Sequence, residues 1–203
     1  MGTSRMEAFS DGVLAVAITI MVLALRPPDG NTFTDLWNAA GAGFLINALS
    51  FAYVGIYWNN HHHIFQLVDR VNGAVLWANL HLLFWLVLIP FSTEWMERSH
   101  LAVAPTMTYA ANLLLAAIAY WILETTIRRI PGEGQILANA VGVDKKAIAS
   151  IILYALAIVV APLSTAVSIA LLVATAVLWL VPDRRIERYI ESNPGSADFG
   201  ERA

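Results

Sequence analysis

Six long apolar stretches divide this chain and restrict it to one class of fold. They cover roughly residues 5–25, 34–58, 72–91, 102–122, 146–162 and 164–181. Of the 203 residues, 58% are hydrophobic and 13% are charged, a composition outside the range of ordinary soluble domains. A helix needs about 20 predominantly apolar residues to cross a bilayer, and its backbone must be satisfied internally there. The sequence therefore predicts an all-α membrane protein with six transmembrane helices.

The six stretches are predicted to form one domain. No internal repeat divides residues 1–182, and residues 183–203 are expected to form a polar cytoplasmic tail. Only residues 162–164 separate the last two stretches, which should pack as a tight helical hairpin. A short charged segment before the first apolar run also occurs in signal peptides. Because Asp11 adjoins that run and no small-x-small cleavage site follows it cleanly, we interpret this segment as a helix.

The loops share the positive charge unequally. Ten of the twelve Lys and Arg residues lie in the N-terminal segment, the second and fourth loops and the tail, whereas only Arg26 and Arg98 lie in the other loops. An excess of Lys and Arg marks the cytoplasmic side of a membrane protein. This bias predicts a multi-pass protein of the cell membrane with both termini in the cytoplasm.

Composition and motifs exclude several classes of function. The net charge of −3 leaves no basic patch for nucleic acid, and the absence of Cys excludes thiolate chemistry. No nucleophile is paired with a base, and neither an H-E-x-x-H motif nor a phosphate loop occurs, so we predict no enzymatic activity and no cofactor. Histidines 61–63 suggest a metal site, but neighbours on a helix point about 100° apart and no carboxylate follows at i+4. We therefore predict no metal site there.

The first apolar stretch carries charge at its entrance, where ionisable residues are costly and usually functional. Counted from Asp11 at about 100° per residue, four side chains share one continuous helix face: Val16, Thr19, Ile20 and Leu23. Several such helices around a rotation axis would form a narrow apolar constriction with a band of threonine oxygens. Hydrophobic constrictions gate by dewetting, and oxygen rings replace part of an ion's hydration shell. The pattern predicts a pore wall, although the same stripe also suits simple helix packing.

Two groups of residues resemble those of a known family. The first has the spacing R-x-x-x-F-S-D at the start of the first helix: Arg5, Phe9, Ser10 and Asp11. The second lies at the end of the second helix: Trp58, His61, His62 and Phe65. Both resemble the signatures of the transmembrane protein 175 family of potassium channels, and Asn79 and residues 89–93 are similar as well. The resemblance covers the first three helices closely and the last three only in number and topology.

The resemblance implies a six-helix subunit that assembles as a homotetramer, since this chain has one repeat, as prokaryotic members do. In the family the first helix lines a central pore without a carbonyl selectivity filter. The narrowest apolar ring then falls on Val16, where isoleucine is common, and further apolar layers fall on Ile20 and Leu23. Potassium ions are expected near Thr19. We expect a passive potassium-permeable cation channel with a hydrophobic gate.

The signature residues are predicted to hold the pore helices together rather than to conduct. We hypothesise a structural polar network of the first helix and the second-helix histidines: Arg5, Phe9, Ser10, Asp11, His61 and His62. The alternative function is a proton-conducting protein or ion-coupled secondary transporter that uses Asp11 and a second-helix histidine. Secondary transporters tend to have inverted repeats and broken helices, and the sequence shows neither clearly, which favours the channel.

Small and acidic residues of the second and third helices complete the sequence predictions. Ala39, Gly43 and Asn47 have the i, i+4, i+8 spacing that lets membrane helices approach closely. Glu94 and Glu97 follow the third stretch and are expected to be solvated, with the concentration of cations as a lesser alternative.

Overall fold

The computed structural model describes residues 2–25, 27–68, 70–132, 135, 137 and 145–180. These residues are helical apart from turns, short connections and one isolated bridge between Gly2 and Arg70. The helices of the described part are α1 (Ser4–Ala24), α2 (Phe33–Phe65), α3 (Gly73–Val87), α4 (Ile89–Arg98), α5 (Val103–Arg128), α6 (Lys145–Val160) and α7 (Thr165–Leu180). The predicted tail, residues 183–203, lies outside the described residues.

Three helical stretches of the described part are long and apolar enough to cross a bilayer. They are Ser4–Ala24, Gly73–Arg98 and Val103–Arg128, with mean hydropathies of 1.8, 1.9 and 1.5. Helices α6 and α7 are apolar but shorter, with 16 residues each. The prediction of an all-helical, multi-pass membrane protein is confirmed, and the number of six membrane crossings stays a prediction.

Helix α2 is longer than the apolar stretch that predicted it. It begins after a capping box in which the Thr32 hydroxyl accepts from the Asp35 N–H, and Asp35 Oδ2 accepts from the Thr32 N–H. It then continues beyond the predicted end at Trp58 and through the three histidines to Phe65. Its 33 residues measure about 50 Å, longer than the roughly 30 Å of a hydrocarbon core. Polar residues can therefore continue this helix outside the apolar layer.

The third stretch is broken rather than continuous. Helix α3 ends at Val87, and α4 begins at Ile89 with Pro90 in its first turn. Proline lacks the N–H that would continue the helical hydrogen bonds. Asn112 of α5 repairs the break in the amide orientation that satisfies both groups: its Nδ2 donates to the carbonyl of Trp85 at 3.0 Å, and its Oδ1 accepts from the Ile89 N–H at 3.1 Å. The break is thus satisfied inside the protein.

Helix α5 lies at the centre of the bundle, where it packs against α3, α4, α6 and α7. Its buried residues contribute to a core whose largest fully buried side chains include Tyr53, Tyr109, Tyr154, Leu82, Leu86, Leu113 and Leu123. Helices α6 and α7 pack against each other across the turn at residues 161–164, as the hairpin prediction requires. Helix α1 packs mainly against α2, α3 and α4. It therefore contributes only one face to the core.

Candidate functional site: the first helix and its contacts

Helix α1 has one face buried in its own chain and another left open. The buried face is a stripe with helical spacing: Met6, Ser10, Leu14, Ala17 and Met21. On the other side Val16, Ile20 and Leu23 are 59%, 50% and 77% exposed, and Thr19 is exposed as well. Both faces are apolar, so the helix presents to its surroundings a hydrophobic ridge that the single chain does not cover. The four predicted pore residues share this open ridge.

The hydroxyl of Thr19 has a defined direction. Its O–H donates to the carbonyl oxygen of Ala15, one turn earlier, at 2.8 Å. A threonine hydroxyl has one donor and two acceptor lone pairs. With the donor used inside the helix, only acceptor capacity remains on the exposed side. Such an oxygen suits a cation better than an anion.

Ser10 lies at the centre of a hydrogen-bonded chain that joins three helices. Its Oγ donates to the carbonyl of Met6 and accepts from Asn79 Nδ2, both at 2.9 Å. Asn79 Oδ1 in turn lies 2.9 Å from His61 Nε2. Because a carbonyl oxygen only accepts, we assign the proton to Nε2 of His61. Ser10, Asn79 and His61 are 0%, 1% and 3% exposed, so this chain holds α1, α2 and α3 together in the interior.

Asp11 points to a different partner from its neighbour Ser10. Its Oδ1 accepts from the indole N–H of Trp58 at 2.9 Å. The Trp58 ring stacks on His62 with centroids 5.9 Å apart and an interplanar angle of 11°. His62 Nε2 accepts from Gln66 Nε2 at 3.0 Å. Asp11, Trp58 and His62 are all exposed in the single chain.

The predicted network is therefore divided into three parts within one chain. Ser10 and His61 meet through Asn79, whereas Asp11 and His62 meet through Trp58. Arg5 and Phe9 face outward, and Arg5 has no ion-pair or hydrogen-bond partner among the described residues. Direct pairing of Arg5 or Asp11 with a histidine does not occur within the described chain, and between chains it stays a prediction.

Two linking residues were not assigned to the network from the sequence. For Asn79 and Trp58, the sequence indicates only a resemblance to the family and no role in the network. The signal for Asn79 was its place as a lone amide in an apolar stretch, where a buried polar group requires a hydrogen-bond partner. The signal for Trp58 was weaker, since tryptophan is common near membrane surfaces for other reasons.

A second polar contact joins α2 to α4, near the opposite end of α1. Asn47, 8% exposed, donates from Nδ2 to the carbonyl of Gly43 at 2.9 Å and to Glu97 Oε2 at 3.1 Å. A Cβ atom at Gly43 would overlap the Glu97 carboxylate, so the missing side chain makes room for it. The prediction of a solvated carboxylate was wrong for Glu97, which is half-buried here, whereas Glu94 pairs with Arg98 at 2.5 Å and keeps 37% of its side chain exposed.

The described residues do not bring potential metal ligands together in one cluster. None of them form a group of three or more His, Asp or Glu side chains able to hold an ion. Of histidines 61–63, His61 bonds to Asn79 in the interior, whereas His62 and His63 both bond to Gln66 and have ring centroids 6.0 Å apart.

The helices of spanning length, their shared core and the uncovered ridge of α1 define a multi-pass helical membrane protein. Comparison with known proteins then identifies its family. Residues 5–90 match the model of the family described as endosomal/lysosomal potassium channel TMEM175. A potassium channel of Chryseobacterium sp. (strain P1-3) is 49% identical over 193 residues, which cover 95% of this chain and 100% of that protein. The chain belongs to the TMEM175 family.

A solved structure and an animal relative extend the comparison. The crystal structure of a lysosomal potassium-selective channel TMEM175 homolog from Chamaesiphon minutus matches with a TM-score of 0.74 at 28% identity, covering 88% of this chain and 96% of that one. The human endosomal/lysosomal proton channel TMEM175 is 33% identical over 86 residues, which cover 37% of this chain and 17% of that protein. Family membership and these relatives identify the chain as a membrane channel protein.

Proposed function

We propose that this chain is the subunit of a passive, potassium-permeable cation channel, in which α1 of four identical copies lines a central pore. The observation that carries the proposal is the division of α1 into a buried stripe and an uncovered apolar ridge. A surface in contact with water would be unstable with such an apolar ridge. Contact with lipid would not require a hydroxyl acceptor at the centre of the ridge. The names of the bacterial relatives support potassium as the permeant ion.

The proposed conduction path has apolar and polar layers in succession. Val16 forms the narrowest ring and closes by dewetting, whereas Thr19 supplies acceptor oxygens one turn later. Ile20 and Leu23 continue the apolar wall toward the other mouth. The sequence contains no T-V-G-Y-G stretch, so no carbonyl filter is proposed. Because Val16 has one carbon fewer than isoleucine, four copies leave a wider constriction and a softer preference for potassium.

The assembly is proposed to follow from the outward-facing signature residues. Arg5 and Asp11 are exposed beside the ridge, in a position to meet a neighbouring subunit. The chain from Ser10 through Asn79 to His61 would then set the rotation of α1 about its own axis. We further propose that residues 1–182 form six membrane crossings with both termini in the cytoplasm of a cell membrane. As a passive pore the assembly requires no cofactor and performs no catalysis.

A flux experiment tests this function. The purified full-length chain is reconstituted in liposomes with a potassium gradient, a voltage-sensitive dye and equal pH on both sides. We expect the membrane potential to follow the potassium gradient, whereas empty liposomes remain silent. A protein without potassium-dependent potential change, at a density where channels are present in every vesicle, is not the proposed channel.

Proton conduction or ion-coupled secondary transport is the second candidate. It is favoured by the buried hydrogen-bonded chain of His61, Asn79 and Ser10, next to Asp11, and by the human relative, which is named a proton channel. The same liposomes with a pH-sensitive dye separate the two. Proton uptake that requires a second solute supports a transporter, and proton flux lost in His61→Gln with potassium flux retained supports a histidine-dependent proton path.

A further inference from the structure

Glu97 is a carboxylate held in a defined position, with no counterion among the described residues. It reaches from α4 to the backbone of α2, where Gly43 makes room for it and Asn47 donates one N–H. The same Nδ2, which carries two hydrogens, also donates to the carbonyl of Gly43. No basic group of the described chain lies within salt-bridge distance of Glu97, whereas Glu94, on the same helix, is paired with Arg98. Among the described residues, the donor to this carboxylate is one neutral amide.

The position of this carboxylate along the length of α1 can be derived from two contacts of α1, first from its contact with α2. Trp58 of α2 is bonded to Asp11, and Asn47 lies three turns, or about 16 Å, further along α2 toward the other end of α1. Since α1 and α2 run in opposite directions, the same rise along α1 leads from Asp11 to Val22. The carboxylate bonded to Asn47 is therefore level with the last turn of α1.

The contact between α1 and α3 gives the same result. Asn79 is bonded to Ser10, and α3 and α4 then rise in the same direction as α1. The backbone of Glu97 lies about 27 Å beyond Asn79, and Ala24, the last residue of α1, lies about 21 Å beyond Ser10. Helices α4 and α1 also pack against each other. Two independent pairs thus locate the charge at the Leu23 end of α1.

We propose that Glu97 concentrates cations at the Leu23 mouth of the pore. This inference rests on the proposed function, because it requires α1 to line the conduction path. Four carboxylates around one mouth raise the local cation concentration there and lower that of anions. The effect is electrostatic and long-ranged, so it depends on ionic strength: the screening length is about 30 Å at 0.01 M salt and about 3 Å at 1 M.

The test is the single-channel potassium current of Glu97→Gln, which keeps a carbonyl acceptor for Asn47 and removes the charge. We expect current entering from the Leu23 mouth to fall about threefold at 0.01 M potassium and to be unchanged at 1 M. The matched control is the double variant Glu94→Gln/Arg98→Gln on the same helix. It removes a paired carboxylate without changing net charge, and its current should equal that of the unmodified channel.

A second variant covers the case in which Glu97→Gln does not assemble. The chain contains no Cys, so Glu97→Cys provides a single thiol for modification in the folded channel. A negatively charged methanethiosulfonate reagent should restore the low-salt current, and a positively charged one should lower it further. Equal effects of the two reagents, or an unchanged low-salt current in an assembled Glu97→Gln channel, would overturn the inference. Absence of current in the unmodified protein would instead refute the proposed function.

Discussion

Asn79 donates a hydrogen bond from Nδ2 to Oγ of Ser10 at 2.9 Å, in a region where both residues are almost completely buried. These residues are 69 positions apart in the chain. Since Asn79 also bonds to His61, a single amide connects α1 to α2 and α3. Together with the buried apolar side chains of α1, this contact holds Ser10 toward the interior, on the side of the helix away from the Val16 ridge.

Ser10→Ala should destabilise the subunit because it leaves a buried N–H of Asn79 without an acceptor. An unsatisfied buried polar group costs about 1–3 kcal/mol. Thermal unfolding in detergent, followed by tryptophan fluorescence, measures the change. Ser99→Ala is the control, since among the described residues the Ser99 hydroxyl, at the end of α4, bonds only to the carbonyl of Met96. Equal melting temperatures of the two variants would contradict the role of Ser10.

Asn112→Ala should destabilise the protein, because it leaves a backbone group unsatisfied at the break between α3 and α4. The N–H of Ile89 loses its acceptor, whereas the carbonyl of Trp85 keeps the Leu88 N–H at 3.3 Å, and the expected loss is about 1–3 kcal/mol. Denaturant unfolding of the detergent-solubilised protein gives the value. Asn59→Ala, at an exposed position of α2, serves as the comparison and should change stability little. A small loss of stability in Asn112→Ala would mean that the backbone groups at the break have other hydrogen-bond partners.

Trp58→Phe should weaken assembly rather than folding. It keeps an aromatic ring beside His62 and removes the N–H that holds Asp11. Hydrogen bonds to charged groups contribute about 1.5–3 kcal/mol, and the proposed tetramer would shield this one from water. Light scattering after size-exclusion chromatography should show a lower tetramer fraction at a given concentration. Trp77→Phe, at a 75% exposed tryptophan of α3, should retain the original fraction; a loss of equal size there would remove the specific role of Asp11.

Val16→Ile should narrow the constriction and reduce potassium conductance several-fold, because four added carbons meet at one ring. The control is Val22→Ile, which makes the same chemical change at a 61% exposed position outside the predicted pore face. Single-channel recording of both variants under identical salt distinguishes them. Unchanged conductance in Val16→Ile, or an equal reduction in both variants, would show that Val16 does not form the narrowest ring.

Local patterns in the sequence predicted much of the fold. Long apolar stretches require helices in a bilayer, so the helical class and the approximate positions of the described helices other than α4 followed from hydropathy. Most of α4 lies beyond the predicted end of the third stretch. The break at Leu88 was missed, although Pro90 was a signal, because its repair by Asn112 depends on a helix that follows later in the chain. The end of α2 was missed because polar residues continue a helix outside the apolar layer.

The sequence by itself determined that this chain is a helical membrane protein, and the R-x-x-x-F-S-D spacing identified its family. Only the tertiary structure decided which face of α1 is buried, because both faces are apolar and hydropathy does not separate a core-facing side from an open one in a membrane helix. It also decided that Asn79 and Trp58 hold Ser10 and Asp11, and that Glu97 is bonded to Asn47. The two residues of each pair are far apart in the sequence. Whether they come within hydrogen-bond distance depends on how the helices pack rather than on helical periodicity.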